Sequence, residues 1–219
     1  VNNWIYPIDN GYVLIDTGYE RGFAHFKKQL AKMQIAPQQI RYIFLTHAHD
    51  DHAGYLNEIL SECSDIQIVM SDKALERLYK GQNSFHGGCT TKIALLFCFL
   101  MKFVGKGKHL FPPITQEYSC RCIQVTEQNR KQVELLLQGK IIDTPGHTAD
   151  SISLLTNDGS LFCGDAAMNG LPSLHRITIW AEDKTDFLKS WETIIALRPN
   201  LIYPGHGKPF GYDDLKINL

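Results

Sequence analysis

Four short apolar runs in this chain each lead into a histidine or an aspartate, and this repeat limits the possible folds more than any other feature. The runs are 42–45, 141–142, 161–163 and 201–203. Each is bounded by polar residues, glycine or proline, which is typical of a short buried strand. In open α/β sheets, functional side chains gather beyond the carboxyl ends of the strands. The pattern therefore predicts a mixed α/β (α+β) fold that brings several histidine and aspartate side chains to one rim.

The first run leads into four metal-ligand side chains within six residues. In extended backbone, His47 and His49 project to the same side, so both can bind one metal ion. Asp51 and His52 lie where the loop turns into a helix, from which they can reach a second ion. Asp50, which lies between them, is expected to be a solvated carboxylate rather than a ligand.

Three later residues complete the set of candidate ligands, and each adjoins a glycine. The full set is His47, His49, Asp51, His52, His147, Asp165 and His206. Imidazole and carboxylate ligands without thiolates suit zinc and also accept iron or manganese, whereas magnesium and calcium favour oxygen ligands alone. Seven ligands are enough for two adjacent divalent ions, for which we expect Zn²⁺.

The order and spacing of these residues resemble the metallo-β-lactamase superfamily, whose motif is His-x-His-x-Asp-His followed by His, Asp and His. The resemblance runs from Thr46 to Gly207 and extends to the Asp-Thr-Gly at 16–18. It implies a four-layer αββα sandwich. It also implies which residues share an ion: His47, His49 and His147 for one, Asp51, His52 and His206 for the other, with Asp165 bridging.

The same resemblance implies a hydrolase in which a hydroxide that bridges the metal ions is the nucleophile, with Asp51 and Asp165 as catalytic residues. No serine or cysteine nucleophile is then needed. The expected substrate is a small molecule with an ester, thioester or lactone bond. Two alternatives stay open, namely a phosphodiesterase or nuclease, and an iron-dependent enzyme of the persulfide dioxygenase type.

Individual residues distinguish this chain from some subfamilies of the superfamily. Zinc β-lactamases of the superfamily lack the bridging aspartate, so Asp165 argues against antibiotic hydrolysis. Related lactonases place a tyrosine three residues after that aspartate, where this chain has Met168.

Composition is that of an ordinary globular protein. The 219 residues are 44% hydrophobic and show no linker, so we expect a single domain over 1–219. A formal charge of −1 provides no overall attraction for nucleic acid, and no nucleic-acid partner is expected.

Six scattered cysteines are typical of reduced thiols, which favours a cytoplasmic location. The chain begins with Val1, which leaves a removed targeting segment open. A homodimer is also open.

An apolar helical insertion is expected at about 81–117. Residues 93–101 are apolar on every side of a helix but too few to span a bilayer, so no transmembrane segment is expected. The helix could be buried in the core or at a dimer contact, wall the metal site as a lid, or associate with a membrane surface. Beyond it, strands are expected around 118–125, 133–137 and 140–143, and a helix over 184–196.

Overall fold

The computed structural model describes residues 1–103 and 107–219, which form two compact units. The first unit comprises Val1, 3–83 and 110–138, and the second comprises Asn2, 84–109 and 139–219. Residues 104–106 of the expected insertion lie outside the described part. Each unit contains its own sheet and helices, which confirms the mixed α/β class.

The elements are named here in chain order. The strands are β1 (Trp4–Ile8), β2 (Gly11–Ile15), β3 (Ile40–Phe44), β4 (Gln67–Ser71), β5 (Gly88–Cys89), β6 (Cys122–Val125), β7 (Gly139–Asp143), β8 (Ile152–Thr156), β9 (Ser160–Gly164), β10 (Trp180–Ala181) and β11 (Leu201–Pro204). The α-helices are α1 (Phe23–Lys32), α2 (Asp50–Ala53), α3 (Leu56–Glu62), α4 (Ala74–Lys80), α5 (Lys92–Phe103), α6 (Arg130–Leu137), α7 (Lys184–Leu197) and α8 (Asp213–Lys216). Short 3₁₀-helices cover Pro37–Gln39 and Gln116–Arg121.

The sheet of the first unit has the strand order β1-β2-β3-β4-β6. A hairpin joins β1 to β2, and the remaining neighbours are parallel. The apolar residues of α1 recur at helical spacing, so that Phe23, Phe26 and Leu30 lie buried in the same core as Leu14 and Ile43. Because β2 and β3 are parallel neighbours, the residues that follow them emerge at the same edge.

The main sheet of the second unit has the order β11-β9-β8-β7. Strand β11 is parallel to β9, and two antiparallel steps through β8 give β7 the same direction. The carboxyl ends of β7, β9 and β11 therefore point to one edge. Helix α7 buries Phe187 and Trp191 in a core shared with Leu161 and Ile202. The short strands β5 and β10 pair separately.

The predicted strand over 133–137 is wrong, because these residues belong to α6. Val133 and Leu137 are buried, whereas Leu135 between them is 78% exposed. Two apolar residues one helical turn apart, with a third on the opposite side, suit a helix on a core better than an alternating strand. The other expected elements of this stretch are present at β6 and β7, after a 3₁₀-helix over Gln116–Arg121.

The apolar insertion does form a helix, α5, but the alternative of a helix buried in the core is wrong. Within Lys92–Phe103, Ala94 is the one residue that is buried among those described. Across residues 1–103 and 107–219, none of the helices combines the length and the apolar character needed to cross a membrane.

Candidate metal centre

In the first unit, the loop after β3 carries two of the candidate ligands in extended backbone. His49 has φ −114° and ψ 161°, which is the geometry that turns residues two apart to the same side. The rings of His47 and His49 lie with centroids 4.6 Å apart, and the rings of His47 and His52 with centroids 4.1 Å apart. His47 and His52 are fully buried and His49 is nearly so. The first unit thus gathers three imidazoles that are adjacent in space as well as in sequence.

A buried carboxylate that follows β2 organises this cluster. Asp16 Oδ1 accepts a hydrogen bond of 2.7 Å from the Thr46 backbone N–H. Asp16 Oδ2 accepts from Thr46 Oγ1 at 2.8 Å and from His52 Nδ1 at 2.8 Å. The sequence showed Asp16 only as part of an Asp-Thr-Gly motif, and this role as an acceptor for both the loop and the helix was missed.

The network determines which ring nitrogen each histidine presents. Because a carboxylate only accepts, the hydrogen on Nδ1 of His52 points to Asp16, which leaves the Nε2 lone pair available. The single hydroxyl hydrogen of Thr46 also goes to Asp16. Thr46 Oγ1 must then accept from His47 Nδ1, 3.0 Å away, and His47 likewise presents Nε2.

Close packing fixes α2, which carries Asp51 and His52. The Thr17 backbone N–H and hydroxyl both donate to the His52 carbonyl, at 2.6 and 2.7 Å. A Cβ at Gly54 would lie 2.6 Å from the Gly18 carbonyl oxygen, so only glycine allows this approach. Asp51 Oδ1 lies 3.8 Å from His52 Nε2, which places a carboxylate beside the ring nitrogen that carries the lone pair.

Tyr55, which follows Gly54, packs against the segment before α1, since a Cβ at Gly18 or Gly22 would lie 3.3 or 3.0 Å from its ring. Its ring stacks on Phe23 and Phe26. Burial raises the pKa of Tyr55 above its ordinary value, and the negative charge of Asp16 raises it further. The phenol therefore stays neutral.

Asp50 differs from the solvated carboxylate that we expected. Its Oδ1 accepts from Asn83 Nδ2 at 2.7 Å, and its backbone N–H donates to Asn83 Oδ1 at 2.7 Å. This reciprocal pair ties the start of α2 to residue 83, so the residue has a structural role.

In the second unit, three candidate ligands meet at the edge where β7, β9 and β11 end. Asp165 directly follows β9, and His206 lies two residues after β11. The Gly205 N–H donates to the Gly164 carbonyl at 2.7 Å, which holds these two chain segments side by side. Asp165 Oδ2 is 3.8 Å from His147 Nε2 and 3.6 Å from His206 Nε2. One carboxylate oxygen thus lies between two imidazoles.

His147 is held from behind by backbone that sequence reasoning did not identify. The Trp180 carbonyl accepts from His147 Nδ1 at 2.8 Å, so His147 also presents Nε2 towards Asp165. Gly146 has φ +128°, and a Cβ there would overlap the backbone of Phe187 at the start of α7. The glycine is required to bring the His147 turn against α7.

The imidazole and carboxylate side chains that each unit gathers are ligands that suit a transition-metal ion. The three histidines whose Nδ1 partners are defined turn Nε2 away from those partners, and each has a carboxylate oxygen or another imidazole beside it. Imidazoles fixed by hydrogen bonds at the opposite ring nitrogen are typical of metal ligands. The four histidines that are not candidate ligands, His25, His86, His109 and His175, lie exposed.

Histidine and aspartate side chains that follow the ends of strands in mixed α/β units are an arrangement in which such folds place functional groups. A sequence profile of the metallo-β-lactamase superfamily matches residues 1–206, and the chain belongs to that superfamily.

Individual relatives agree with this placement. "Beta-lactamase-like protein 2 homolog" of Drosophila melanogaster is 26% identical over 99% of this chain, which spans 63% of that protein. "Hydroxyacylglutathione hydrolase" of Nitrosococcus oceani is 26% identical over 77% of this chain and 49% of that protein. TTHA1623, solved in a di-iron-bound form, superposes with a TM-score of 0.65 at 19% identity, over 97% of this chain and 90% of that one. The chain thus has the metallo-β-lactamase fold, and it is shorter than the two curated relatives.

Proposed function

We propose that this chain is a metal-dependent hydrolase that holds two divalent ions and cleaves an ester, thioester or lactone in a small molecule. The observation that carries the proposal is a superfamily match over 1–206 combined with histidines whose Nε2 atoms are oriented by hydrogen bonds at Nδ1. Family membership supports hydrolysis, and the oriented imidazoles support metal binding.

The proposed ligand groups follow the superfamily order. His47, His49 and His147 would hold one ion, and Asp51, His52 and His206 the other, with Asp165 shared. Neutral imidazoles with carboxylates favour zinc. A relative of the same fold was solved in a di-iron-bound form, so iron and manganese belong in any reconstitution.

When bound, a pair of divalent ions supplies an activated water and a Lewis acid at neutral pH. The chain's own part is to hold the ligands ready. Asp16 and Thr46 fix the rings of His47 and His52, and the Trp180 carbonyl fixes His147. Ligands that are already oriented lose little conformational freedom when an ion binds, which raises affinity.

Within the proposed substrate class, thioesters have the most support. The hydroxyacylglutathione hydrolase relative is named for cleaving an acyl group from glutathione, to which acyl groups are joined through sulfur. The lactonase-type tyrosine is replaced by Met168, which is buried and accepts a hydrogen bond from Thr178 Oγ1. A methionine in that place provides no hydroxyl for a substrate oxygen.

The test uses protein reconstituted separately with zinc, manganese and iron, and a panel of an acylglutathione, a lactone and bis-p-nitrophenyl phosphate. We expect hydrolysis of the thioester with about two ions per chain. In Asp165→Ala, metal content should fall towards one ion, and kcat should fall by about 100-fold or more. Asp50→Asn is the matched control, because Asp50 lies between the candidate ligands His49 and Asp51 without being one. Its backbone hydrogen bond to Asn83 remains in the variant.

Four outcomes would contradict the proposal. Full activity without metal would remove the metal mechanism, and unchanged metal content in Asp165→Ala would remove the shared ligand. Faster cleavage of the phosphodiester would assign the chain to the phosphodiesterase alternative. Oxygen consumption by the iron form would assign it to the dioxygenase alternative.

A further inference from the structure

Helix α5 turns an apolar face to solvent. The exposed residues of that face are Ile93, Leu95, Leu96, Phe99, Leu100 and Phe103, with Leu95 61%, Phe99 57% and Phe103 76% exposed. The rings of Phe99 and Phe103 contact each other with centroids 5.1 Å apart. A globular protein normally turns the polar side of a surface helix outwards, so an apolar outer face is unusual. Exposed apolar patches of this kind mark sites of association.

The opposite face of the helix is anchored within the second unit. Ala94 is buried, and Phe97, Cys98 and Met101 are partly buried. Burial, together with a hydrogen bond to Cys89 of β5, raises the pKa of the Cys98 thiol to about 11, so it stays neutral.

The start of the helix is anchored as well. Thr91 Oγ1 accepts from the Ala94 N–H at 3.0 Å, and the Thr90 N–H donates to the Ile179 carbonyl at 3.1 Å. The apolar face therefore belongs to an element held in a defined position.

The charged residues in the segment that carries α5 are all lysines. In sequence, residues 84–109 contain four lysines and no aspartate or glutamate. Lys92 and Lys102 lie exposed at the two ends of the helix, and Lys108 is exposed beyond it. Gly107 packs close to Lys102, since a Cβ there would lie 3.1 Å from Lys102 Cγ, and this brings Lys108 near the same end.

The lysine at the amino end does not help the helix itself. The first turn of a helix carries partial positive charge and favours acidic residues, yet α5 begins with Lys92 and has no acidic residue there. Lys92 therefore contributes nothing to the stability of α5 through the helix dipole.

We propose that α5 docks the chain on the surface of an anionic phospholipid bilayer. Its apolar face would enter the region between headgroups and acyl chains, while the lysines bind lipid phosphates and carboxylates. Twelve residues measure about 18 Å as a helix, short of the roughly 30 Å hydrocarbon core, so the helix lies in the surface.

A second copy of the chain fits the same face less well. In a symmetric pair, α5 would meet its own copy, and the lysines of both copies would be brought together. With no acidic residue in 84–109 to neutralise them, this contact is repulsive.

The test is sedimentation of the chain with vesicles, which does not depend on the proposed hydrolase activity. We expect binding to phosphatidylcholine vesicles with about 30 mol% phosphatidylserine, little binding to pure phosphatidylcholine, and release at high salt. The triple variant Leu96→Gln, Phe99→Gln, Phe103→Gln should bind about 100-fold or more weakly. Lys92→Gln with Lys102→Gln should weaken binding about 30-fold.

Matched controls change exposed residues outside α5. Leu135→Gln removes an equally exposed apolar side chain, and Lys131→Gln with Lys140→Gln removes two exposed charges. All variants alter exposed positions, and circular dichroism with a melting curve verifies that they are folded. Control variants should sediment as the wild type does.

Several results would overturn the proposal. These are no sedimentation with either vesicle, equal sedimentation with both, or an α5 triple variant that binds as well as the wild type. A concentration-dependent dimer that the triple variant abolishes would assign the face to a second copy instead.

Discussion

At the residue scale, one buried carboxylate has the most consequences. Asp16 satisfies the Thr46 backbone N–H, the Thr46 hydroxyl and His52 Nδ1 at once. It occupies φ +57°, a left-handed conformation that aspartate and asparagine adopt more readily than other side chains. Replacing Asp16 with a neutral residue would change the hydrogen-bond pattern of His47 and His52, although neither of these candidate ligands is itself substituted.

We therefore expect Asp16→Asn to weaken zinc binding by about 10- to 100-fold. The amide would present N–H groups to His52 Nδ1 and to Thr46 Oγ1, which reverses the donor pattern that keeps Nε2 free of hydrogen. The free energy of unfolding should also fall by about 1.5–3 kcal/mol, the range for bonds to charged groups. Zinc affinity is measured by competition with a chromophoric chelator. Asp72→Asn, an exposed change after β4, is the control, and equal affinities in the two variants would contradict the prediction.

At the element scale, the amino end of α7 links helix stability to the site. Asp183 Oδ1 accepts from the Thr185 and Asp186 backbone N–H groups at 2.7 and 3.0 Å, which caps the helix. The Asp183 and Glu182 backbone N–H groups donate to the Gly146 and His147 carbonyls. The cap and the turn that carries His147 are therefore one structure.

The cap should make stability depend on acid pH. Hydrogen bonds from the Asp186 and Thr185 backbone N–H groups hold the pKa of Asp183 below its ordinary value. A lowered pKa in the folded state stabilises the protein above the unfolded-state pKa, and this contribution is lost as pH falls through the folded-state pKa. We expect Asp183→Ala to lower Tm at pH 7, and the difference from wild type to shrink below about pH 4.

Asp186→Ala is the matched control for the cap, since it removes from the same turn a carboxylate that accepts from the Lys189 side chain rather than from the backbone N–H groups of the cap. Melting curves between pH 3 and 7 provide the measurement. A Tm difference of constant size across this range would show that Asp183 acts through something other than its ionised cap.

At the scale of the whole molecule, metal binding and folding stability are linked. An ion that binds only the folded chain stabilises it by about 2.7 kcal/mol at a free concentration 100 times Kd. Metal content should then govern stability as well as activity. The single domain, the cytoplasmic location and the homodimer stay predictions at this scale.

We expect chelation to remove about two ions per chain, abolish hydrolysis and lower Tm. Zinc or manganese should restore both properties, whereas magnesium, which prefers oxygen ligands, should not. Metal analysis, activity and calorimetry on the same sample check this. Activity that survives complete removal of metal, or a Tm that does not respond to zinc, would contradict it.

The sequence by itself determined the strands after which the candidate ligands lie. Short apolar runs before His147, Asp165 and His206 predicted β7, β9 and β11, and spacing alone predicted that His47 and His49 share a side. These features depend on residues within a few positions of one another, where strand periodicity and turn chemistry act. The local pattern failed at 133–137, where burial of one face against a core favoured a helix over a strand.

Only the tertiary structure decided which partners orient the ligands and which surfaces stay exposed. Asp16 and His52 are 36 positions apart, and His147 and Trp180 are 33 apart, so no local pattern reports their hydrogen bonds. The apolar residues of α5 left core burial, a dimer contact, a lid and a membrane surface open, and the structure leaves most of them in solvent. Burial depends on what packs against a face rather than on the residues of that face alone, and packing between distant segments is a property of the fold.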